Sequence, residues 1–487
     1  MLNEIQQSFL REFKQNIENY KNNFLILNGP AGSGKTRLIK ESVEICLENG
    51  IDFEVLAFTG RAASLLKSEE LENPKTIHRW ISQLKKNKYF LELDNKKNEK
   101  EIFVIFIDES SMIPNSGIFY ENKAPQLSFL LDEIMWVSNK HLPYKNIFYI
   151  FVGDNNQLPP VYENFSPALD IDFIKNRYGL VGKKFSLKDI YRQKNKSEIV
   201  SFAKSFKSIS NKNNKIPKPK FNNEEINELE EDEVSTKFLK YFNTEKNSVK
   251  IITHDNKKSD KYNFDIKKAL FDPWEMTDNY SNGIPNYVLK DRFLLPQEGD
   301  ILQISKNDYQ NELFNGQFIE VKKTGRVDYV GNLKERLNIP FLEIDEIPFL
   351  HQKIEVELIN ETNDEPIIKD INISLDYLLN NFYMSDNEFS FFESTNNGFL
   401  SEIKNEIRNE KIKNKMEILN HDLLNPVFCK YGFSITGHKA QGGGWENIII
   451  DFANFQTSRG DVSPSWIYTA LTRTKNKTYF VNYPAYE

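Results

Sequence analysis

Phe24-Leu25-Ile26-Leu27-Asn28-Gly29-Pro30-Ala31-Gly32-Ser33-Gly34-Lys35-Thr36 is the stretch that decides the fold. Phe24–Leu27 has the composition of a buried strand. The turn from Gly29 to Thr36 fits the P-loop pattern, and the chain from about Lys35 to Asn49 reads as a helix. Strand, glycine-rich turn and helix, in that order, let backbone N–H groups close round phosphate oxygens. The helix N-terminus adds its partial positive charge. Gly29, Pro30, Ala31, Gly32, Ser33 and Gly34 would form this cradle. Lys35 can reach the β- and γ-phosphates, and the Thr36 hydroxyl can ligate magnesium. The implied cofactors are ATP and Mg2+.

Outward from this turn, short apolar runs alternate with helical stretches. Phe53–Phe58, Phe103–Ile107 and Ile147–Val152 read as further strands, with a helix near Ala62–Lys67. Such alternation predicts a parallel sheet covered on both faces, hence an α/β nucleotide-binding core. Val104-Ile105-Phe106-Ile107-Asp108-Glu109 completes the site: an apolar strand ending in two carboxylates. Asp108 can hold the magnesium. Glu109 is placed to orient and deprotonate an attacking water.

The 487 residues suit two to four domains, and no apolar run is long enough to span a bilayer. No membrane partner is expected. The N-terminus lacks the basic start and apolar stretch of a secretory signal. Cys46 and Cys429 form no CxxC pair, so neither a zinc site nor a disulfide framework is signalled, and a cytoplasmic location is the expectation. The net charge of −7 does not by itself suggest a nucleic-acid binder. Any such groove must be locally basic on an acidic body.

A second α/β pattern starts at Val249–Thr253 and resumes at Phe433–Ile435, Ile448–Asp451 and Thr478–Val481. Between them, residues 286–425 read as an insertion. There Leu313–Val321 suggests a small barrel, and Ser401–Asn420 a charged helical arm. Ser210–Asn223 reads as an exposed connection and Glu224–Glu233 as a solvated helix face. Tyr89–Leu93 alternates apolar and polar residues before the turn-like Asp94–Asn98, a hairpin signal.

These motifs resemble, in order, those of a superfamily 1B helicase of the Dda and RecD type. Gln6 sits where that family has an adenine-reading glutamine. Phe58-Thr59-Gly60-Arg61-Ala62-Ala63 and Thr76-Ile77-His78-Arg79 resemble its first DNA-contacting motifs, with Phe58 where the family usually has Pro. Gly153–Val161 is similar to motif III, in which Gln157 would sense the γ-phosphate. Leu187–Arg192 resembles motif IV, Thr436–Gly442 motif V and Tyr468–Arg473 motif VI. The resemblance implies two RecA-like parallel-sheet cores, with Arg192 and Arg473 reaching the nucleotide from the second core in the arginine-finger role. It implies that Thr59, Arg61, Thr76, His78, Thr436, His438 and Lys439 contact the strand, and that a pin carrying Phe90 and Tyr89 splits the duplex.

The expected domains are 1–80 with 104–182 for the first core, 81–103 for the hairpin, 183–285 with 426–487 for the second core, and 286–425 for the barrel-like and helical insertion. Gln157-Leu158-Pro159-Pro160 lacks the base-stacking aromatic of the 3′→5′ branch, and His438 stands where RNA-directed relatives usually have an acid. The expectation is an ATP-dependent 5′→3′ helicase or translocase acting on single-stranded and tailed duplex DNA. Two alternatives stay open. One is an RNA or hybrid helicase. The other is an ATP-gated DNA-binding motor subunit with protein partners in a repair, replication or antiphage complex.

Overall fold

The computed structural model describes residues 2–483, apart from 69–70, 72, 86–101, 119–125, 162, 189–196, 207–216, 222–223, 271–287, 289–290, 309, 331–332, 340–348, 360–365, 385–397, 399, 411–413 and 454–462. Arg192, Tyr89 and Phe90 lie outside the described residues.

The apolar runs of the first third build one sheet. Its strands are β1 (Phe24–Asn28), β2 (Asp52–Ala57), β3 (Lys75–Thr76), β4 (Ile102–Asp108), β7 (Asn146–Gly153) and β8 (Gly182–Ser186), while β5 (Asn115–Ile118) and β6 (Gln126–Phe129) form a separate hairpin. The sheet order is β3-β2-β4-β7-β1-β8, with every pairing parallel. Successive side chains point to opposite faces, so Leu25, Leu27, Val104 and Phe106 join one buried cluster while Phe24, Ile26, Phe103 and Ile105 join another. Helix α1 (Glu4–Asn19) covers the first face through Phe9 and Phe13. Helix α4 (Ile77–Lys85) covers the second through Trp80 and Leu84. Three details differ from the expected domain limits. Helix α4 carries the first core past residue 80 to Lys85. Strand β8 pairs with β1, so the first sheet runs on to Ser186, and β4 begins at Ile102.

The second sheet has the order β16-β10-β17-β18-β9, from β9 (Ile226–Glu228), β10 (Val249–Thr253), β16 (Ser434–Thr436), β17 (Trp445–Asp451) and β18 (Thr474–Val481). Its pairings are also parallel. The acidic run at 224–233 is therefore not a helix face. It contributes an edge strand, with Ile226 buried opposite Thr478, followed by a single 3-10 turn over Glu231–Glu233. Glu231 then receives the ammonium groups of Lys258, at 2.7 Å, and Lys261, at 3.0 Å.

Between β10 and β16 the chain leaves to form an antiparallel sheet of order β14-β13-β12-β11-β15. Its strands are β11 (Ile301–Ile304), β12 (Phe318–Val330), β13 (Phe349–Leu358), β14 (Ile368–Ser374) and β15 (Cys429–Tyr431). Register shifts at Val321/Lys323 and Thr324/Val327 bend the long pair. A bridge from Ile373 to Val427, just before β15, brings the two edges together. The expected barrel-like form is present, and it extends past residue 425 to Tyr431. Residues 400–409 are helical. A buried ion pair, Lys267 to Asp300 at 2.5 Å, ties this insertion to the second core.

Candidate active site

Lys35, Thr59, Thr76, Asp108, Gln157 and Thr436 follow or end strands at their carboxyl ends, where open parallel sheets bind ligands, whereas Gln6 is on α1 and Arg473 just precedes β18. Strand β1 ends at Asn28, and the P-loop follows directly into helix α2 (Lys35–Glu48). Gly32 and Gly34 have φ of 75° and 87°, a region that favours glycine. Gly29 is needed for a different reason: an added Cβ would stand 2.8 Å from both the Leu187 Cβ and the Ser33 Oγ. Gly29 N–H also donates to Gly153 O at 3.0 Å, fastening the loop to the end of β7.

Lys35 Nζ lies over the loop, donating to Gly29 O at 2.8 Å and Pro30 O at 3.0 Å. Ser33 Oγ is buried with no hydrogen-bond partner among the described residues. The loop is thus a cradle with polar groups unclaimed by protein. Gln6 reaches it from α1. Its Nε2 donates to Ser33 O at 3.1 Å, and its Oε1 accepts from the Asn3 N–H, so the capping interaction that starts the helix also aims the amide.

At the end of β4, loss of surrounding water, with the charge of Glu109 alongside, pushes the Asp108 carboxyl up to about 7, while Lys35 pulls it down. A carboxylate held up in this way gains from a divalent cation. Together with the Thr36 hydroxyl at the start of α2, it fits the magnesium that a P-loop site implies. Glu109 follows with φ of 50°, a strained position for a non-glycine residue that turns the chain sharply into the 3-10 turn Ser110–Met112.

Motif III continues from β7. Asp154 is fully buried, and Gln157 is 2% exposed with its Oε1 lacking a partner among the described residues. Three hydrogen bonds cross from this loop to the second core. Tyr468 Oη donates to Asp154 Oδ2 at 2.9 Å, Leu158 N–H donates to Thr469 Oγ1 at 2.9 Å, and Gln441 Nε2 donates to Leu158 O at 3.1 Å. The motif stretches drew attention to Tyr468, Thr469 and Gln441 and to the loop holding Asp154 and Leu158, but nothing in the sequence said that these would pair across the cleft.

Arg473 follows the Tyr468–Thr472 stretch that bridges the cleft. It is 3% exposed and donates to Thr469 O, Gly443 O and Thr472 Oγ1, all on its own core.

Thr59 and Thr76 both act as helix caps. Thr59 Oγ1 accepts from Ala62 N–H at the start of helix α3 (Gly60–Ser68), and Thr76 Oγ1 from Arg79 N–H at the start of α4. His78 is exposed beside Thr76. Thr436 ends β16, with Lys439 exposed beyond it. Burial and the neighbouring His254 hold the His438 imidazole below its usual range. Arg61 stands apart from these groups. Its guanidinium lies 5.1 Å from the Phe318 ring centre and 5.2 Å from that of Trp445, both in the second half of the chain.

Two families match the chain. The AAA domain matches residues 14–163, which hold Lys35, Asp108, Glu109 and Gln157. The UvrD-like helicase C-terminal domain matches residues 431–481, which hold Thr436, His438, Lys439 and Arg473. An uncharacterized protein of Methanocaldococcus jannaschii is 25% identical over 495 residues, covering 95% of this chain. The chain spans only 37% of that relative's length. A solved Pif1 helicase from Candida albicans is 15% identical, with 99% of this chain and 95% of that one covered at a TM-score of 0.50. A Bacteroides Pif1 helicase in complex with ADP-AlF3 and single-stranded DNA is 16% identical, with 100% and 93% covered at a TM-score of 0.49. The two family matches stand in the order that the helicase resemblance implies, and the Candida protein shares the fold of this chain. No helix among the described residues is long and apolar enough to cross a membrane.

Proposed function

We propose that this superfamily 1B chain is an ATP-driven motor that moves 5′→3′ along single-stranded DNA and parts tailed duplexes ahead of it. The observation that carries this reading is the division of the site. The phosphate cradle, Asp108 and Glu109 belong to the first core, and the cleft beside them is bridged by side chains of motifs V and VI.

The chemistry follows from the residues. Lys35, now on the Gly29 and Pro30 carbonyls, exchanges those partners for the β/γ-phosphates of ATP. Thr36 and Asp108 would hold a magnesium ion, which when bound neutralises charge on the phosphates. Glu109 orients a water and takes its proton as the water oxygen attacks the γ-phosphorus and the bond to the bridging oxygen breaks. Arg473, and Arg192 if it reaches the cleft as motif IV implies, supply positive charge from the second core. Closing the cleft is therefore part of hydrolysis. A strand lying across Thr59 and Thr76 on one core and Thr436, His438 and Lys439 on the other is shortened or paid out by that motion. Such short polar and basic groups suit phosphate and sugar contacts, which position a strand without reading its sequence.

Strand displacement on duplexes with a 5′ or a 3′ tail tests the proposal. The 5′-tailed DNA duplex is expected to be unwound, and ATP hydrolysis to rise several-fold with single-stranded DNA. Equal or greater action on the 3′-tailed duplex overturns the polarity. Preference for RNA tails selects the RNA-directed reading. Hydrolysis without strand displacement selects the ATP-gated subunit.

A further inference from the structure

Arg61 lies in a motif that predicts a strand contact, yet its side chain is committed elsewhere. Phe318 and Trp445 form an edge-to-face pair, with centroids 6.1 Å apart and planes at 86°. The Arg61 guanidinium sits at 5.1 Å and 5.2 Å from the two rings. Trp445 is 2% exposed and Phe318 4%, so the contact is largely shielded from water. Gly443 makes room for it. A Cβ there would lie 2.8 Å from Arg61 Nη1 and 2.5 Å from the Trp445 ring. Gly60 does the same one residue earlier, where a Cβ would fall 2.0 Å from the Phe314 Cβ. The start of α3 is thus docked on the second half of the chain through two adjacent residues.

What Arg61 touches is also what holds Arg473. Gly443 O accepts from Arg473 Nη1 at 3.2 Å, and the Trp445 N–H donates to Arg473 O at 2.9 Å. One short loop, Gly442–Trp445, therefore carries the Arg61 seat, one of the bonds that hold the Arg473 guanidinium, and a backbone bond that fixes the chain at Arg473. Thr59, two residues before Arg61, caps the same helix. Lys250 Nζ stands at the same pair of rings, 4.3 Å from Phe318 and 5.7 Å from Trp445. Burial, and then the charge of Arg61, hold its ammonium well below the usual lysine range.

We propose that Arg61 is a positioning residue: seated on Trp445 and against Gly443, it keeps the Gly442–Trp445 loop in the form that parks Arg473. A strand engaging Thr59 shifts α3, lifts Arg61 from its seat and frees Arg473 for the nucleotide. The strand's part in this rests on the function proposed above. The parking contact does not.

The test is ATP turnover of Arg61→Ala, first with no nucleic acid present. Loss of the stack is expected to raise this basal rate about three- to thirtyfold, the factor such a contact corresponds to, with KM for ATP unchanged. Stimulation by single-stranded DNA should shrink by the same factor. Trp445→Phe keeps a ring and should stay near wild type, whereas Trp445→Leu should follow Arg61→Ala. Arg61→Lys keeps a cation at the site and should fall between. It also serves as the test should the alanine variant fail to fold. Basal turnover at or below wild type in folded Arg61→Ala and Arg61→Lys overturns the proposal. So does a loss of DNA affinity equal to that of Thr59→Ala with basal turnover unmoved, which would make Arg61 a strand contact. A wild-type enzyme that ignores DNA sinks the functional reading alone, because the basal arm contains none.

Discussion

The phosphate cradle and the arginine site are built in opposite ways. Every group of the cradle comes from one core and from short stretches at neighbouring strand ends: Gly29–Thr36 after β1, Asp108 and Glu109 after β4, Gln157 after β7. Gln6 adds one contact from the helix packed alongside. The P-loop and the two carboxylates are placed by the first core, while the loop that carries Gln157 is also bonded across the cleft to the second core. Arg473 is the reverse case. Its residue type and place suit a finger, but its guanidinium is satisfied by Thr469, Gly443 and Thr472 of its own core. A buried guanidinium with three partners is costly to move unless replacements are supplied. Binding of nucleotide is thus prepared in advance, and completion of the hydrolytic site is conditional. That is the division a motor needs, since hydrolysis before the strand is engaged would be idle.

This difference is open to attack at both ends. Arg473→Ala should cut kcat about 10³- to 10⁵-fold, the range of an arginine finger, while nucleotide affinity measured with a fluorescent ADP analogue stays within a few-fold. Comparable losses in affinity and turnover would mean that Arg473 only supports the second core. Glu109→Gln should cost about 10²- to 10⁴-fold in kcat, as loss of a general base does, again with binding intact. Near-normal turnover there would move the base to another residue.

The cradle was legible in the sequence because its determinants are contiguous: a strand, a turn that needs glycine, and a helix start. The parallel sheets were legible because strands buried on both faces, such as Phe24–Asn28 and Ile102–Asp108, are apolar up to their last residue. The strand at Ile226–Glu228 was hidden. It is short and flanked by acids, and it is fixed by pairing with Thr478–Phe480 near the other end of the chain. The seat of Arg61 was hidden for the same reason. A motif reports which residue type a position holds. It does not say that Phe318 and Trp445, brought together from an insertion and a distant strand, will claim the side chain first.

The smallest effect is expected at the cleft itself, where the two halves already touch. Tyr468 Oη donates to Asp154 Oδ2 at 2.9 Å, and both residues are buried. Burial, followed by the adjacent carboxylate, keeps the Tyr468 phenol protonated far above its usual range, so the donor is present at any working pH. The other oxygen of Asp154 is occupied by the backbone N–H of Asn156, at 3.0 Å, and its side-chain amide, at 2.9 Å. Tyr468→Phe therefore strips one oxygen of its cross-cleft donor and leaves the motif III loop otherwise bonded. A buried acceptor left in this way costs about 1–3 kcal/mol. Tyr468→Phe, Asp154→Asn and the double variant, followed by urea unfolding, form a cycle that isolates the pair. The interaction energy should exceed the roughly 0.3–0.5 kcal/mol within which independent sites add. Additive effects would show that the contact is incidental. The strong dependence of turnover on Arg473 would then have to reach motif III through Thr469 and Gln441 alone.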